Sequence, residues 1–202
     1  MKNVVLAYTA GTLSSFDIQG RDFYSNNLIV SLSTAVTDYK LEFRDLLTNE
    51  TVHTGTIVDH VSGLGAFHLT FTPILSGTYD LHIMLNGLHV DSSPYRVSVQ
   101  PALATHTPSS TIVNINSMVH ATGQYLRFII ESRDQFRNLR NSSVQDVYVV
   151  TLIGSIDGLT YTAPTPAANK NGTYSASFMF TIAQNYIVNV KLAGVHVKDS
   201  PI

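Results

Sequence analysis

The side chains with chemistry to offer in this chain are histidines, carboxylates, and asparagines set in Asn-x-Ser/Thr triplets. There are eight histidines and fourteen acidic residues, and there is no cysteine. Absence of cysteine removes disulfide frameworks, thiolate nucleophiles and cysteine-based zinc sites together. His60 and His68 could approach across a turn, but two imidazoles without a third ligand make a poor zinc site. His89 and His196 occupy matching places in two copies of one stretch, and recurrence at one structural position argues for packing. Asp22 and Asp134 recur in the same way. No Gly-rich phosphate loop and no Gly-x-Ser-x-Gly elbow is present. The chain is therefore read as non-enzymatic, with no catalytic residue, no metal and no cofactor.

The triplets are Asn49-Glu-Thr, Asn141-Ser-Ser and Asn171-Gly-Thr. Chance supplies such matches readily in a Ser- and Thr-rich chain, so their number proves nothing. Their place does carry weight: all three fall between expected strands, where a bulky glycan is tolerable.

The elements that would hold these residues repeat. Tyr79 opens an alternating run that Gly87 turns, and Pro94 lies seven residues on; Tyr186, Gly194 and Pro201 repeat the arrangement. Upstream, Gly65 through Phe71 aligns with Gly172 through Phe178, and Gly11 through Phe16, Ile18 and Asp22 with Gly123 through Phe128, Ile130 and Asp134. Two units of about a hundred residues follow, residues 1–100 and 101–202, each of ordinary domain size.

Alternation of period two marks half-buried strands. The inward sets are Phe16 and Ile18; Leu41 and Phe43; Phe67, Leu69 and Phe71; and Tyr79, Leu81, Ile83 and Leu85. In the second unit they are Phe128 and Ile130; Tyr174, Ala176, Phe178 and Phe180; and Tyr186, Val188, Val190 and Leu192. Residues 3–8 form a first strand, residues 51–60 one polar strand, and residues 100–110, with two prolines, an extended linker. Pro164 and Pro166 make the fourth strand of the second unit short or an edge. About seven short strands per unit, with no helical stripe, is all-β: two tandem immunoglobulin-like β-sandwiches.

Phe-x-Ile-x-x-x-Asp near the start, then Gly-x-Phe/Tyr, Gly-x-Tyr and Gly-x-x-x-x-x-Ser-Pro resemble the filamin-type immunoglobulin repeat, over both units nearly end to end. Asn185 departs from the usual Gly, and the place of Pro73 falls at or near Ile182 in the second unit. The resemblance implies that Asp22 and Asp134 shape loops. It also implies that partner peptides add as a strand beside the third strand, by β-augmentation. That strand is residues 40–44 in the first unit, with Leu41 and Phe43 inward, and residues 147–153 in the second. The second is apolar on both faces, so Val147, Tyr148, Val150 and Leu152 are the candidate partner-binding residues, with an outward Tyr148, Val150 or Leu152 awaiting a partner or a neighbouring domain.

Net charge is −2 and the charged fraction is 13%, about half the usual value. With no basic block, nucleic acid and anionic membrane are poor partners. No apolar run is long enough to insert in a bilayer, and Met1-Lys-Asn-Val-Val-Leu-Ala is too short in its apolar part for a signal peptide. Tyr95 to Val99 reads as a closing strand of the first unit. The second unit stops at Ile202, and is expected to be a truncated copy from a longer protein.

A sparsely charged surface with loop sequons fits an extracellular adhesion segment whose partners are proteins on another cell, the parent protein being membrane-anchored. Filamin-type repeats outside cells resemble the ectodomains of gamete-attachment proteins of plants and algae, which implies a role in fertilisation. The alternative is a cytosolic rod segment of an actin cross-linker. An accessory domain of a secreted carbohydrate-active enzyme is a third reading, poorly served by a chain without tryptophan.

Overall fold

The computed structural model describes residues 6–27, 39–59, 65–90, 93–103, 105–141 and 146–202. The chain divides into two compact units, Met1–Gln100 and Pro101–Ile202. Each is built from two facing β-sheets whose inward residues make its core.

In the first unit, one sheet runs β1 (Leu6–Thr9), β9 (Tyr95–Gln100), β7 (Gly77–Leu85), β3 (Tyr39–Asp45), β4 (Thr51–Thr54), with β8 (Leu88–His89) as a short hairpin partner of β7. The other runs β2 (Ser14–Gln19), β6 (Ala66–Phe71), β5 (Thr56–Asp59). Alternation places Leu41, Phe43, Phe67, Leu69, Phe71, Tyr79, Leu81, Ile83, Val97 and Val99 in the core. Removing each such side chain from water contributes about 1.5–3 kcal/mol. His82 and Met84, expected to face water, are buried as well. They lie on a central strand, and His89 of β8 covers His82 with the rings 4.9 Å apart.

The single polar strand expected over residues 51–60 is two strands that belong to different sheets. The break is Gly55, whose N–H reaches the Leu41 carbonyl at 3.0 Å. A Cβ there would lie 2.9 Å from the Thr70 carbonyl oxygen and closer still to Leu41. Only a residue without a side chain lets the chain cross so near both sheets. His60 lies outside the described residues.

The second unit repeats the plan. One sheet runs β10 (Thr111–Val113), β11 (Tyr125–Glu131), β15 (Thr173–Met179), β14 (Ala167–Ala168). The other runs β13 (Thr160–Thr162), β12 (Tyr148–Gly154), β16 (Tyr186–Leu192), β17 (Val195–His196). Pro164 and Pro166 fall between β13 and β14, both short edge strands, where no ladder donor is lost. Phe128, Ile130, Tyr174, Ala176, Val188 and Val190 are buried, with Phe178, Phe180, Tyr186 and Leu192 packed more loosely against them. Asn86-Gly87 and Ala193-Gly194 turn their hairpins with positive φ, as a two-residue turn that follows the twist of the strands requires. Ser93–Pro94 and Ser200–Pro201 are cis.

Residues 100–110 are not a free linker throughout. Gln100 ends β9, the Ala102 N–H donates to Asp134 Oδ2 at 2.9 Å, and the His106 N–H donates to the Arg133 carbonyl at 2.8 Å. A 3-10 turn over Thr107–Ser109 leads into β10.

Candidate functional site

Tyr148, Val150 and Leu152 are 1%, 2% and 0% exposed. They face the core, which corrects the expectation that one of them is turned outward. The outward set is Val147, Val149 and Ile153, at 64%, 49% and 38% exposure, with Thr151 between. A strand apolar on both faces gives no phase by alternation alone. The phase was present in the other copy: Tyr39-x-Leu41-x-Phe43 aligns with Tyr148-x-Val150-x-Leu152 once Asp45, opposite Tyr79, is matched to Gly154, opposite Tyr186. Leu41 and Phe43 are buried as expected.

Across the sheet, Ile153 pairs directly with Ile187, itself 52% exposed. The outward face of β12 and β16 therefore carries Val149, Ile153 and Ile187, with Lys191 opposite Val149 and Asn189 opposite Thr151, and is flanked by Thr160 and Thr162 of β13. In the first unit the same positions hold charge. Lys40 stands for Val149, and the cross-strand pair Arg44 and Asp80 stands for Ile153 and Ile187. There Arg44 binds Glu42 at 2.6 Å and Arg96 binds Asp80 at 2.9 Å. The two units thus present contrasting surfaces on one framework.

The expected peptide seat beside the third strand is occupied in both units. β4 pairs with Glu42–Arg44 and the Gly55 N–H bonds the Leu41 carbonyl. β13 pairs with Thr151–Ile153 and the Ala163 N–H bonds the Val150 carbonyl. The other side of each third strand is taken by β7 or β16. A peptide strand there would have to displace the fourth strand, because the donors and acceptors are already paired.

A buried polar cluster, which the sequence did not reveal, anchors the start of β12. Arg140 Nη1 donates to both oxygens of Asp146 at 2.9 and 2.7 Å. Ser132 and Thr105 hydroxyls donate to the same carboxylate at 2.5 and 2.7 Å. The Asp146 N–H donates to the Tyr174 hydroxyl at 2.8 Å. The side chains are 3% and 12% exposed. Burial pushes the Tyr148 and Tyr174 hydroxyls above their ordinary pKa.

The recurring aspartates shape loops. Asp134 Oδ1 accepts the N–H groups of Phe136 and Asn138, and Oδ2 the Asn138 amide, each at 2.9 Å. Asp22 holds Tyr24 and Asn26 in the same way. The Asn26 amide and backbone, with the Tyr24 N–H, keep the Asp22 carboxyl below its usual pKa.

The histidines are spread among separate contacts. His68 binds Asp17 at 2.6 Å, His82 Nδ1 meets His89 Nε2 at 3.1 Å, and His196 meets Ser200 at 3.0 Å. Among the described residues, no three His, Asp or Glu side chains converge as metal ligands would.

The sequon asparagines are all exposed. Asn49 sits at positive φ in the turn between β3 and β4, a conformation asparagine tolerates. Asn171 lies in the turn before β15, its side-chain oxygen accepting the Thr173 N–H at 3.1 Å and hydroxyl at 2.7 Å. Asn141 follows Arg140 on the surface.

Residues 107–202 match the Filamin/ABP280 repeat. Among solved structures, the chain is similar to the Escherichia coli adhesin FdeC, with 13% identity and a TM-score of 0.52 over 98% of this chain and 60% of that one. It is also similar to invasin, described as a bacterial integrin-binding protein, with 14% identity and a TM-score of 0.49 over 96% of this chain and 36% of that one. The Lin-41 filamin domain has 16% identity and a TM-score of 0.36 over 48% of this chain and 85% of that one. The chain spans less than two thirds of the adhesin and invasin chains, and at such identities the likeness is one of fold.

Proposed function

We propose, on the premise that residues 107–202 are a filamin-type immunoglobulin-like repeat, that this chain is a non-enzymatic extracellular recognition segment of a cell-surface protein. The observation that carries the reading is the outward apolar face of the second unit. Val149, Ile153 and Ile187 are exposed there at positions where the first unit has Lys40, Arg44 and Asp80. Each unit already has a core of its own, so beyond the Ile153–Ile187 cross-strand pair these side chains contribute little to folding. Burying them against a partner gives a favourable association term at about 25 cal/mol per Å². Thr151, Thr160, Thr162 and Asn189 supply uncharged hydrogen-bonding groups around them, and Lys191, opposite Val149, brings one charge to the end of the patch. The partner is a protein surface with a matching apolar patch; no membrane insertion and no nucleic acid is involved. In its sharpest form the role is gamete attachment in fertilisation, as the resemblance to such ectodomains implies.

Low surface charge and exposed sequon turns support the extracellular placement. The filamin match keeps one rival in play, a cytosolic rod segment of an actin cross-linker. The discriminating measurement is the intact mass of the protein from its native cells before and after enzymatic removal of N-glycans. Mass loss mapping to Asn49, Asn141 or Asn171 is expected. A bare-chain mass would sink the extracellular reading in favour of the intracellular one.

A further inference from the structure

Two Asn-Gly steps occur in the chain, Asn86-Gly87 and Asn171-Gly172, and both asparagines are exposed in turns. At such a step a main-chain nitrogen can reach the preceding side-chain amide, because glycine puts no Cβ in the way. The two steps differ in what surrounds the amide. Among the described residues, no hydrogen bond engages the Asn86 side chain.

At Asn171 the side chain is fixed. Its Oδ1 accepts the Thr173 N–H at 3.1 Å and the Thr173 hydroxyl at 2.7 Å. A backbone N–H can bond only the oxygen of an amide, so Nδ2 is the atom turned away. The sense of the hydroxyl bond is set as well: Thr173 Oγ1 accepts the Asn169 amide at 2.9 Å, which leaves its own proton for Asn171. A side chain bonded to the N–H two residues on is folded forward along the chain, and sets Cγ beside the Gly172 nitrogen. The Gly172 N–H donates to no described group, while its carbonyl accepts the Ser132 N–H at 2.8 Å. The turn thus holds a nucleophile, an electrophile and two donors aimed at the oxygen where charge would develop.

We propose that Asn171 is a site of self-catalysed deamidation. The Gly172 nitrogen gives its proton to solvent and bonds to Asn171 Cγ. Negative charge gathers on Oδ1, where the Thr173 N–H and hydroxyl bind it more strongly than they bind the neutral amide. The Cγ–Nδ2 bond breaks, and Nδ2 takes a proton from water and leaves as ammonia. One water molecule then opens the five-membered succinimide at either carbonyl, giving aspartate or iso-aspartate. One water is consumed and one ammonia released, with no oxidant and no cofactor.

Both products alter the second unit. A glycan on Asn171 attaches at Nδ2, the atom that is lost, so deamidation and glycosylation of this residue exclude one another. Iso-aspartate also adds one carbon to the main chain where there is no room for it: a Cβ on Gly172 would lie 1.6 Å from the Arg140 carbonyl oxygen. The chemistry belongs to the bare chain and does not depend on the recognition surface proposed above.

The test uses the 202-residue chain made without glycans, aged in warm, mildly alkaline buffer and followed by peptide mass mapping, with released ammonia measured in parallel. A one-dalton gain is expected at least fivefold faster at Asn171 than at Asn86. Thr173→Val keeps the N–H and removes the hydroxyl, and should slow the gain at least threefold; Thr173→Ser should restore it. Each rate is taken on a chain whose urea transition shows it to be folded. In concentrated urea the two sites should converge, since only the fold separates them, and aged chain enriched in iso-aspartate should unfold at lower urea than fresh chain. An unmodified Asn171, equal rates at the two sites in the folded chain, or an unchanged rate in folded Thr173→Val would each overturn the proposal. A preference for Asn171 that survives in urea would also overturn it, by placing the cause in the local sequence.

Discussion

Asp146→Ala should unfold the second unit more easily than any surface change, and the structure sets the size of the effect. Among the described residues, the Asp146 carboxylate is the only acidic partner of Arg140, whose side chain is 3% exposed. Without it, Arg140 Nη1 keeps only a 3.4 Å contact with Ser132, while the guanidinium stays buried with one nitrogen already unpartnered. Breaking a buried pair by removing one member costs about 3–5 kcal/mol, because an uncompensated charge remains. A domain of this size has about 5–15 kcal/mol in all. Arg140→Met should cost less, about 1–3 kcal/mol, since Asp146 keeps the Ser132 and Thr105 hydroxyls and some contact with water. The double change Arg140→Met with Asp146→Leu should cost less than Asp146→Ala alone. Urea unfolding followed by circular dichroism resolves these values, with the slope unchanged if only stability is affected. A loss below about 1 kcal/mol for Asp146→Ala would mean that the guanidinium is hydrated and the pair does not anchor β12.

Two further outcomes follow from individual residues. Gly172→Ala should destabilise the second unit by about 2–4 kcal/mol, because φ is +80° and the new Cβ would lie 1.6 Å from the Arg140 carbonyl oxygen. Unchanged urea unfolding would show that the close approach relaxes freely. The first unit should weaken in acid. Burial, with Arg44 and His89, outweighs Asp80 and Glu42 and holds His82 below its ordinary pKa, and burial does the same to His53. A depressed histidine pKa means that the unfolded chain binds more protons. The stability is therefore present above about pH 6.5 and lost as pH falls through the lowered native pKa. His82→Asn, the residue found at the matching place in the second unit, should flatten the fall in urea midpoint between pH 7.5 and 5. An identical fall would contradict the assignment.

The fold was largely legible because the chain states it twice. Gly65 and Gly172, Gly87 and Gly194, and the two Ser-Pro steps mark the same turns in each copy, and alternation set the inward faces wherever the opposite face was polar. The reading failed where that contrast was missing. Residues 147–153 are apolar on both faces apart from Thr151, so alternation alone does not say which side Tyr148, Val150 and Leu152 face, although Tyr39, Leu41 and Phe43 hold the phase. The pairing of Arg140 with Asp146 had no sequence signal, since charged residues flanking a loop are ordinarily solvated. Residues 51–60 alternate like one polar strand, whereas Gly55 within them is the point at which the chain changes sheets.

The central claim is that the outward face of β12 and β16 is the recognition surface. Its most direct measurement is adhesion of beads coated with this chain to the cells its parent protein meets, with the double variant Ile153→Arg and Ile187→Asp as the perturbation. That variant sets opposite charges across the strands, as Arg44 and Asp80 are set in the first unit, so the unfolding midpoint should stay close to that of the parent chain. Bead capture should fall at least tenfold, and a matched change in the first unit, Arg44→Ile with Asp80→Ile, should leave it unaltered. Undiminished capture by the folded Ile153→Arg, Ile187→Asp chain would contradict the account.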